Sequence, residues 1–406
     1  MESSDKSQEK ISLPKNMLLP QEEMLEIQKK GKKMKIGIPS DFDKVEYRVP
    51  LTPQAVDLLI SYGHEILIEK DAGKSASYSD EEYREAGATV VDKKEETFQC
   101  DIILRVAPFS CDEIDMLRGN QVIISSLQTQ AHRSESILKL MKKKVTTLAF
   151  EYLENEDGFS PVVHQMSQIA GVTAITTASE YLSKSRNGKG VLFGEVTGVT
   201  PAELVIIGTS TAAEYAARAA LGLGIFVKVF DTSVYELSKL EEKLGRRIFT
   251  SVFYPKVLRK ALISADVVIG ATAFNTSPKF KVSEDLVKQM KEGAVIIDLN
   301  ASQGGCFETS KPTDFNHPVY EKHGVLHYCV PNSPAMVART ASISLSNILI
   351  PILLAVGENG GVDNYIKNSQ GFRKGVYIYR GILTNPEVGR LFNIPAQDIN
   401  LLLAVY

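Results

Sequence analysis

The stretch Glu203-Leu-Val-Ile-Ile-Gly208-Thr-Ser210-Thr-Ala-Ala213 decides the fold class. Its unbroken apolar run reads as a strand buried on both faces, the glycine ends it, and an alanine-rich run with helical spacing follows. Strand, tight turn and helix in that order open a dinucleotide-binding unit. The next apolar run, Val227-Lys-Val-Phe230, ends in Asp231, at about the 20-residue spacing of an acid that binds a ribose 2′-hydroxyl. No arginine follows Asp231, which favours NAD over NADP. Gly208 supplies the first glycine of the turn. Ser210 stands at the second, where a missing side chain ordinarily lets the backbone approach a pyrophosphate, and Ala213 stands at the third, which needs only close helix–strand packing. Two expectations follow from this turn: a dinucleotide held there by Gly208, Ser210, Thr211 and Asp231, or a serine that obstructs it.

The same alternation continues on both sides. Asp266–Ile269, Ala294–Asp298 and Val325–Val330 complete a second doubly wound unit that closes near Arg339, and residues 35–39, 65–68, 89–91, 101–106, 121–125 and 146–150 form a first one. A helical pattern from about Gln165 to Lys184 joins them as a hinge. The expected architecture is α/β, with two doubly wound Rossmann-type domains separated by a cleft. Residues 1–33 read as a leader with a short helix from Pro20 to Gly31, whose lysines form a solvated helix end. Residues 34–161 and 340–406 read as a substrate domain, and 162–339 as the NAD-binding domain. Ile343–Val356 is strongly apolar but interrupted by Ser344, Ser346, Asn347 and Pro351, so it reads as a buried helix rather than the ~20 apolar residues of a membrane span. The charged N-terminus, MESSDKSQEK, has neither signal-peptide nor anchor character.

Bulk composition narrows the function. The chain has 406 residues, 46 Lys+Arg against 49 Asp+Glu, 4 Cys and a net charge of -3, which leaves no basic footprint for nucleic acid. Cys100, Cys111, Cys306 and Cys329 have no metal-ligand spacing and are too few for a disulfide framework, so no metal is expected and a reducing cytoplasm is the expected home.

Several strings carry a family resemblance: Lys35-Ile-Gly-Ile-Pro39, Tyr47-Arg48-Val-Pro-Leu-Thr-Pro53, Gly63-His64-Glu65, Asp71-Ala-Gly73, Met166-Ser167 with Ala170-Gly171, Gly198-Val-Thr-Pro201, Met290-Lys-Glu-Gly293, Gly304-Gly-Cys-Phe-Glu-Thr-Ser310 and His327-Tyr-Cys-Val-Pro-Asn332. With similar spacing from about Met34 to the C-terminus, the chain resembles bacterial alanine dehydrogenase, and secondarily the alpha subunit of nicotinamide nucleotide transhydrogenase. The resemblance implies a bilobal subunit, commonly hexameric, that binds NAD on the second lobe. It also implies oxidation of L-alanine to pyruvate and ammonia, hence a small amino or keto acid as ligand, a homo-oligomer, and no membrane partner. Arg48 stands where the family's arginine grips the substrate carboxylate, a task suited to a guanidinium fork. Ser167, Asn300 and Asn332 fall at positions that resemble cofactor contacts.

The positions matching the family's lysine, acid/base histidine and aspartate are Ala107, Gln128 and Ser302. None of these ionises near neutral pH, and the loss of general acid–base help is worth ~10²–10⁴-fold in rate. The residues therefore support two expectations: an alanine dehydrogenase-type oxidoreductase, or a catalytically silent relative serving as a regulatory, structural or metabolite-binding subunit. His132 and His164 are the substitute bases in reach along the sequence; His64 and His327 read as structural, and the cysteines as small buried hydrophobes.

Overall fold

The computed structural model describes residues 31–41, 46–128, 134–273, 278 and 280–405. The leader helix, the basic cluster Lys29–Lys30 and His132 lie outside them. The first lobe is built on β1 (Lys35–Ile38), β2 (Glu65–Glu69), β3 (Thr89–Val91), β4 (Ile102–Leu104), β5 (Val122–Ser125) and β6 (Thr146–Ala149). These six strands are parallel in the order β3-β2-β1-β4-β5-β6. The second lobe repeats the plan with β7 (Glu203–Ile207), β8 (Phe226–Phe230), β9 (Phe249–Ser251), β10 (Val267–Gly270), β11 (Val295–Asp298), β12 (Val319–Lys322) and β13 (Val325–Tyr328). Its parallel strands run β9-β8-β7-β10-β11-β13, and β12 is added antiparallel at the edge. Two strands after the second lobe, β14 (Val376–Tyr379) and β15 (Ile382–Leu383), return to the first sheet, where β14 pairs antiparallel with β6.

Both sheets therefore have the strand order in which the chain reverses direction beside its first strand. At that switch point the carboxyl ends of neighbouring strands splay apart and open a crevice, so each lobe presents its loops to the other. Buried Ile, Val and Leu fill β1, β4, β7, β10 and β11 on both faces, which is why these strands show no polar alternation.

Four strands are absent from the periodicity reading: β9, β12, β14 and β15. The first three mix polar or aromatic residues into short segments, and β15 is only two residues long. Their pairing is dictated by neighbouring strands rather than by their own pattern.

Helix α1 (Pro161–Leu182) joins the lobes and crosses α2 (Thr211–Gly222), the helix after the glycine turn, and α3 (Ala338–Glu358) joins them again on its return to the first lobe. The α1–α2 crossing is close because Gly171 lies at it: a Cβ there would come within 2.3 Å of the Ala212 carbonyl oxygen and 2.9 Å of the Ala216 nitrogen. By length and composition, the stretch Ser333–Glu358 is apolar enough to cross a membrane. In this fold one face of α3, including Ala341, Leu345, Leu349, Leu353 and Val356, is buried in the first lobe's core. Its serines have a structural use. Ser342 Oγ accepts the Val49 N–H at 2.9 Å, while Ser346 Oγ accepts the Thr52 N–H at 2.9 Å and donates to the Pro50 carbonyl at 3.1 Å. The helix thereby fixes the loop that carries Arg48.

Candidate active site

A cavity of about 730 Å³ lies between the lobes. Arg48, Ala107, Gln128, Ser167, Ser210, Asn300, Ser302 and Asn332 all line it, so the structure brings together most of the residues singled out from the sequence. Gly208, Thr211 and Asp231 sit on the adjoining turn and strand end of the second lobe.

Arg48 is buried against Glu46. Its Nε donates to Oε1 and its Nη2 to Oε2, both at 2.7 Å, and the Arg48 backbone N–H adds a third bond at 3.0 Å. Burial opposes both charges, but each outweighs it for the other: Glu46 is held below the usual carboxylate range, and Arg48 above the usual range of arginine. The remaining nitrogen, Nη1, faces the Met166 sulfur at 3.3 Å. Asn332 reaches across from the second lobe and donates to Glu46 Oε2 at 2.9 Å. Arg48 and Glu46 thus form a buried ion pair whose guanidinium keeps one nitrogen beside a soft, weak acceptor.

Further polar groups surround the cavity. Arg105 donates to both oxygens of Glu113 and lies 3.2 Å from Asp41 Oδ1, so its donors are spent on the wall. Asp41 is raised to about 7, chiefly by burial. Glu151, on the short turn after β6, accepts the Leu127 N–H through Oε1 at 2.6 Å. Its Oε2 is buried with no hydrogen-bond partner among the described residues, and burial raises the carboxyl to about 7. Thr272 Oγ1 on the second lobe is buried at the cavity wall and has no nitrogen or oxygen hydrogen-bond partner among the described residues.

Glu46, Asp41 and Glu151 were not among the residues picked out from the sequence. The signal for Glu151 is positional: an acid two residues past the end of the buried strand β6 lies at the strand's carboxyl end, where the crevice opens. For Glu46 it is the spacing of two residues from Arg48, which lets one short loop carry both partners of a fork.

The glycine turn is intact where it cannot be otherwise. Gly208 has φ +106°, and a Cβ there would lie 2.4 Å from the Ala271 carbonyl oxygen. Ser210 is the N-cap of α2, accepting the Ala213 N–H at 3.4 Å and donating to the Ala271 carbonyl at 2.8 Å. Its hydroxyl is bound to the turn and to the end of β10, which answers part of the expected obstruction: the serine is tied back rather than left free. Asp231 lies at the end of β8 and accepts from Thr209 Oγ1 at 2.8 Å and from the Ser233 N–H at 2.9 Å. Asn300, at the end of β11, accepts the Thr272 N–H at 2.8 Å. A tight turn that excludes Cβ, a helix N-terminus behind it and a carboxylate at the next strand end are a donor and acceptor set that fits a dinucleotide. Replacing Ser210 by glycine is expected to tighten NADH binding severalfold, at a cost of a few tenths of a kcal/mol in capping. Fluorescence titration of NADH checks this, and an unchanged affinity would show that the serine leaves the pyrophosphate path clear.

The histidines among the described residues are occupied elsewhere. His164 lies 2.6 Å from Gln168 and packs on Phe159, with burial holding it below its usual range. His64 accepts the Met34 N–H, and buried His327, lowered to about 4, bonds Thr309 and the Val325 carbonyl. All four cysteines are unpaired, and burial pushes the thiols of Cys100 and Cys329 up to about 11.

Family models for the two halves of one protein match consecutive stretches: the alanine dehydrogenase/PNT N-terminal domain over residues 37–170 and the C-terminal domain over 174–386. The chain belongs to the alanine dehydrogenase/PNT family. It is 35% identical to alanine dehydrogenase 2 of Staphylococcus aureus over 369 residues, 90% of this chain and 98% of that one. It is 34% identical to alanine dehydrogenase of Mycobacterium tuberculosis over 374 residues, covering 91% of this chain and 100% of the relative. A solved L-alanine dehydrogenase superposes with a TM-score of 0.83 at 33% identity, over 89% of this chain and 99% of that one. A transhydrogenase from Sinorhizobium meliloti, at 22% identity and TM-score 0.72 over 86% of this chain and 99% of its own, shares the fold. The alanine dehydrogenase-type architecture expected from the sequence is therefore the one found.

Proposed function

We propose that this family member is an NAD-dependent oxidoreductase that interconverts a small amino acid, L-alanine in the first instance, and its keto acid within the interlobe cleft. The observation that carries the reading is the cavity itself. One wall holds the buried Arg48–Glu46 pair and the other Ser210, on the turn that Gly208 opens and Asp231 adjoins, which supports a carboxylate and a dinucleotide bound on opposite sides of one space.

NAD, when bound, supplies the acceptor for the hydride lost from the amino acid's Cα. The chain's own residues would bind and orient around that event. Asp231 would accept from a ribose hydroxyl, in place of Thr209 Oγ1, and the first turn of α2 would offer N–H groups to phosphate oxygens. Arg48 would present Nη1 to the substrate carboxylate while Glu46 holds the guanidinium in its plane. Gln128 and Ser302 would orient substrate or water by hydrogen bonds without titrating. Assembly into a homo-oligomer, a hexamer by family resemblance, and residence in the cytoplasm belong to the same proposal.

The test is a titration of purified protein with NADH by cofactor fluorescence, followed by turnover with pyruvate and ammonium. Saturable binding with turnover is expected. Asp231→Asn is expected to weaken NADH about ten- to a hundredfold, the worth of a hydrogen bond to a charged group, with little effect on pyruvate binding. The second reading, a subunit without turnover, is favoured by one observation: Ala107, Gln128 and Ser302 place three non-titrating side chains on the cavity wall. NADH and pyruvate binding without turnover would select it.

A further inference from the structure

Resting on the functional reading above, we propose that Glu151 is the acid/base group of this cleft, taking a proton from the water that attacks the substrate's imine carbon and passing it to the departing nitrogen. Three geometric observations carry the assignment. Glu151 lines the cavity shared with Arg48, Gln128 and Ser126. Its Oε1 is anchored by the Leu127 N–H at 2.6 Å, so the carboxyl group is held in one orientation. Its Oε2 is buried and has no partner among the described residues, a cost that a carboxyl group bears when that oxygen serves a ligand. Gln128, bound beside it through Nε2 to Ser126 Oγ at 2.9 Å, has φ +38°, and such strain in a non-glycine residue gathers at working sites.

Asp41, the other cavity carboxyl with a buried oxygen that makes no hydrogen bond among the described residues, has that same oxygen 3.2 Å from the Arg105 guanidinium, so a fixed cation already occupies it. Among the described residues Glu151 has no such ion pair. The ionisable groups facing it are Arg48 from the segment after β1, Tyr152 of its own turn and Tyr377 of β14. Burial holds both tyrosines above their ordinary range, so they stay neutral and Arg48 is the charge Glu151 feels. Burial outweighs Arg48 and brings the carboxyl to about 7, where it both accepts and releases protons at neutral pH.

The steps balance. The ammonium of the amino acid loses one proton to solvent, and departure of hydride from Cα to the nicotinamide then leaves an iminium carbon. Water adds to that carbon, its O–H proton goes to the Glu151 carboxylate, and a carbinolamine forms. Glu151 returns the proton to nitrogen. The C–N bond then breaks with its electron pair on nitrogen, the hydroxyl proton passes to Glu151 as the C=O bond forms, and ammonia takes that proton as it leaves. Glu151 ends ionised, as it began. The net change is one water consumed, one hydride passed to the nicotinamide, and one proton, one ammonium ion and one keto acid released.

The experiment uses the full chain and three variants, Glu151→Gln, Glu151→Asp and Asp41→Asn. In Glu151→Gln, kcat for alanine oxidation is expected to fall about 10²–10⁴-fold with the NADH dissociation constant unchanged. The wild-type rate, which falls as pH drops through about 7, should lose that limb in the variant. Glu151→Asp should recover part of kcat. A second readout does not need turnover: calorimetry of pyruvate binding to the NADH complex in buffers of different ionisation enthalpy. The wild type is expected to take up protons at pH 7.5, because a bound carboxylate beside Glu151 favours its neutral form; Asp41→Asn should keep that uptake and Glu151→Gln should lose it. A Glu151→Gln variant with kcat within threefold of wild type and the same acid limb overturns the assignment alone. So does a wild type that binds pyruvate with no proton uptake. A wild type that binds no NADH removes the oxidoreductase reading first, and the assignment with it.

Discussion

Arg48→Met is expected to destabilise the protein by about 3–5 kcal/mol at neutral pH, the usual cost of leaving one partner of a buried ion pair alone, and to abolish measurable pyruvate binding. The reason is visible in the partner. Glu46 accepts from Nε, Nη2 and the backbone N–H of Arg48, and only Asn332 would remain as a side-chain donor. The pH dependence has a definite sign. With Arg48 present, the Glu46 carboxyl sits below its ordinary value, so its contribution is present above the unfolded-state pKa and fades as pH falls through the folded one. Without Arg48, burial alone acts and raises Glu46, so the variant pays an added penalty that grows as pH rises past the ordinary carboxylate range. The stability gap between the two proteins is therefore expected to be smaller at pH 5 than at pH 8. Urea unfolding at the two pH values measures it. A gap that is equal at both, or a variant that still binds pyruvate normally, would refute the role proposed for Arg48.

Gly208→Ala carries the second large effect. A side chain at φ +106° costs on the order of 1–3 kcal/mol in backbone strain. The Cβ would also lie 2.4 Å from the Ala271 carbonyl oxygen, a backbone atom in a segment bonded to β7 through its own N–H. To relieve that contact, the turn has to move away from β10. NADH binding is expected to disappear while the first lobe retains its affinity for small carboxylates. Thermal unfolding and a fluorescence titration separate the two effects. Wild-type NADH affinity in a folded Gly208→Ala protein would remove this turn from the dinucleotide site.

Much of the fold was legible because it rests on buried parallel strands. Runs such as Val267–Gly270 and Val295–Asp298 carry their own signature, since a strand covered on both faces has no polar alternation to confuse with anything else. The strands that escaped are edge or return strands whose identity lies in the partner: β14 is defined by its pairing with β6, more than 220 residues earlier in the chain. At the site, Arg48 and the Gly208 turn were legible because each depends on a residue type that nothing else replaces. Glu151 and Asp41 were not. An acid gains its meaning there from desolvation, and desolvation is created by residues remote in sequence. Ser210 shows the converse. Its departure from the glycine pattern is plain in the sequence, but its compensating role as a helix cap bonded to Ala271 is a property of the assembled turn.

The Asn332 to Glu46 hydrogen bond joins the two lobes at the Arg48–Glu46 pair itself. A separation of the lobes would cost Glu46 that donor and leave its oxygens to Arg48 alone. The spacing of the two lobes and the charge balance of the guanidinium are thus coupled through one bond, so an acid that engaged Arg48 would also favour the joined arrangement.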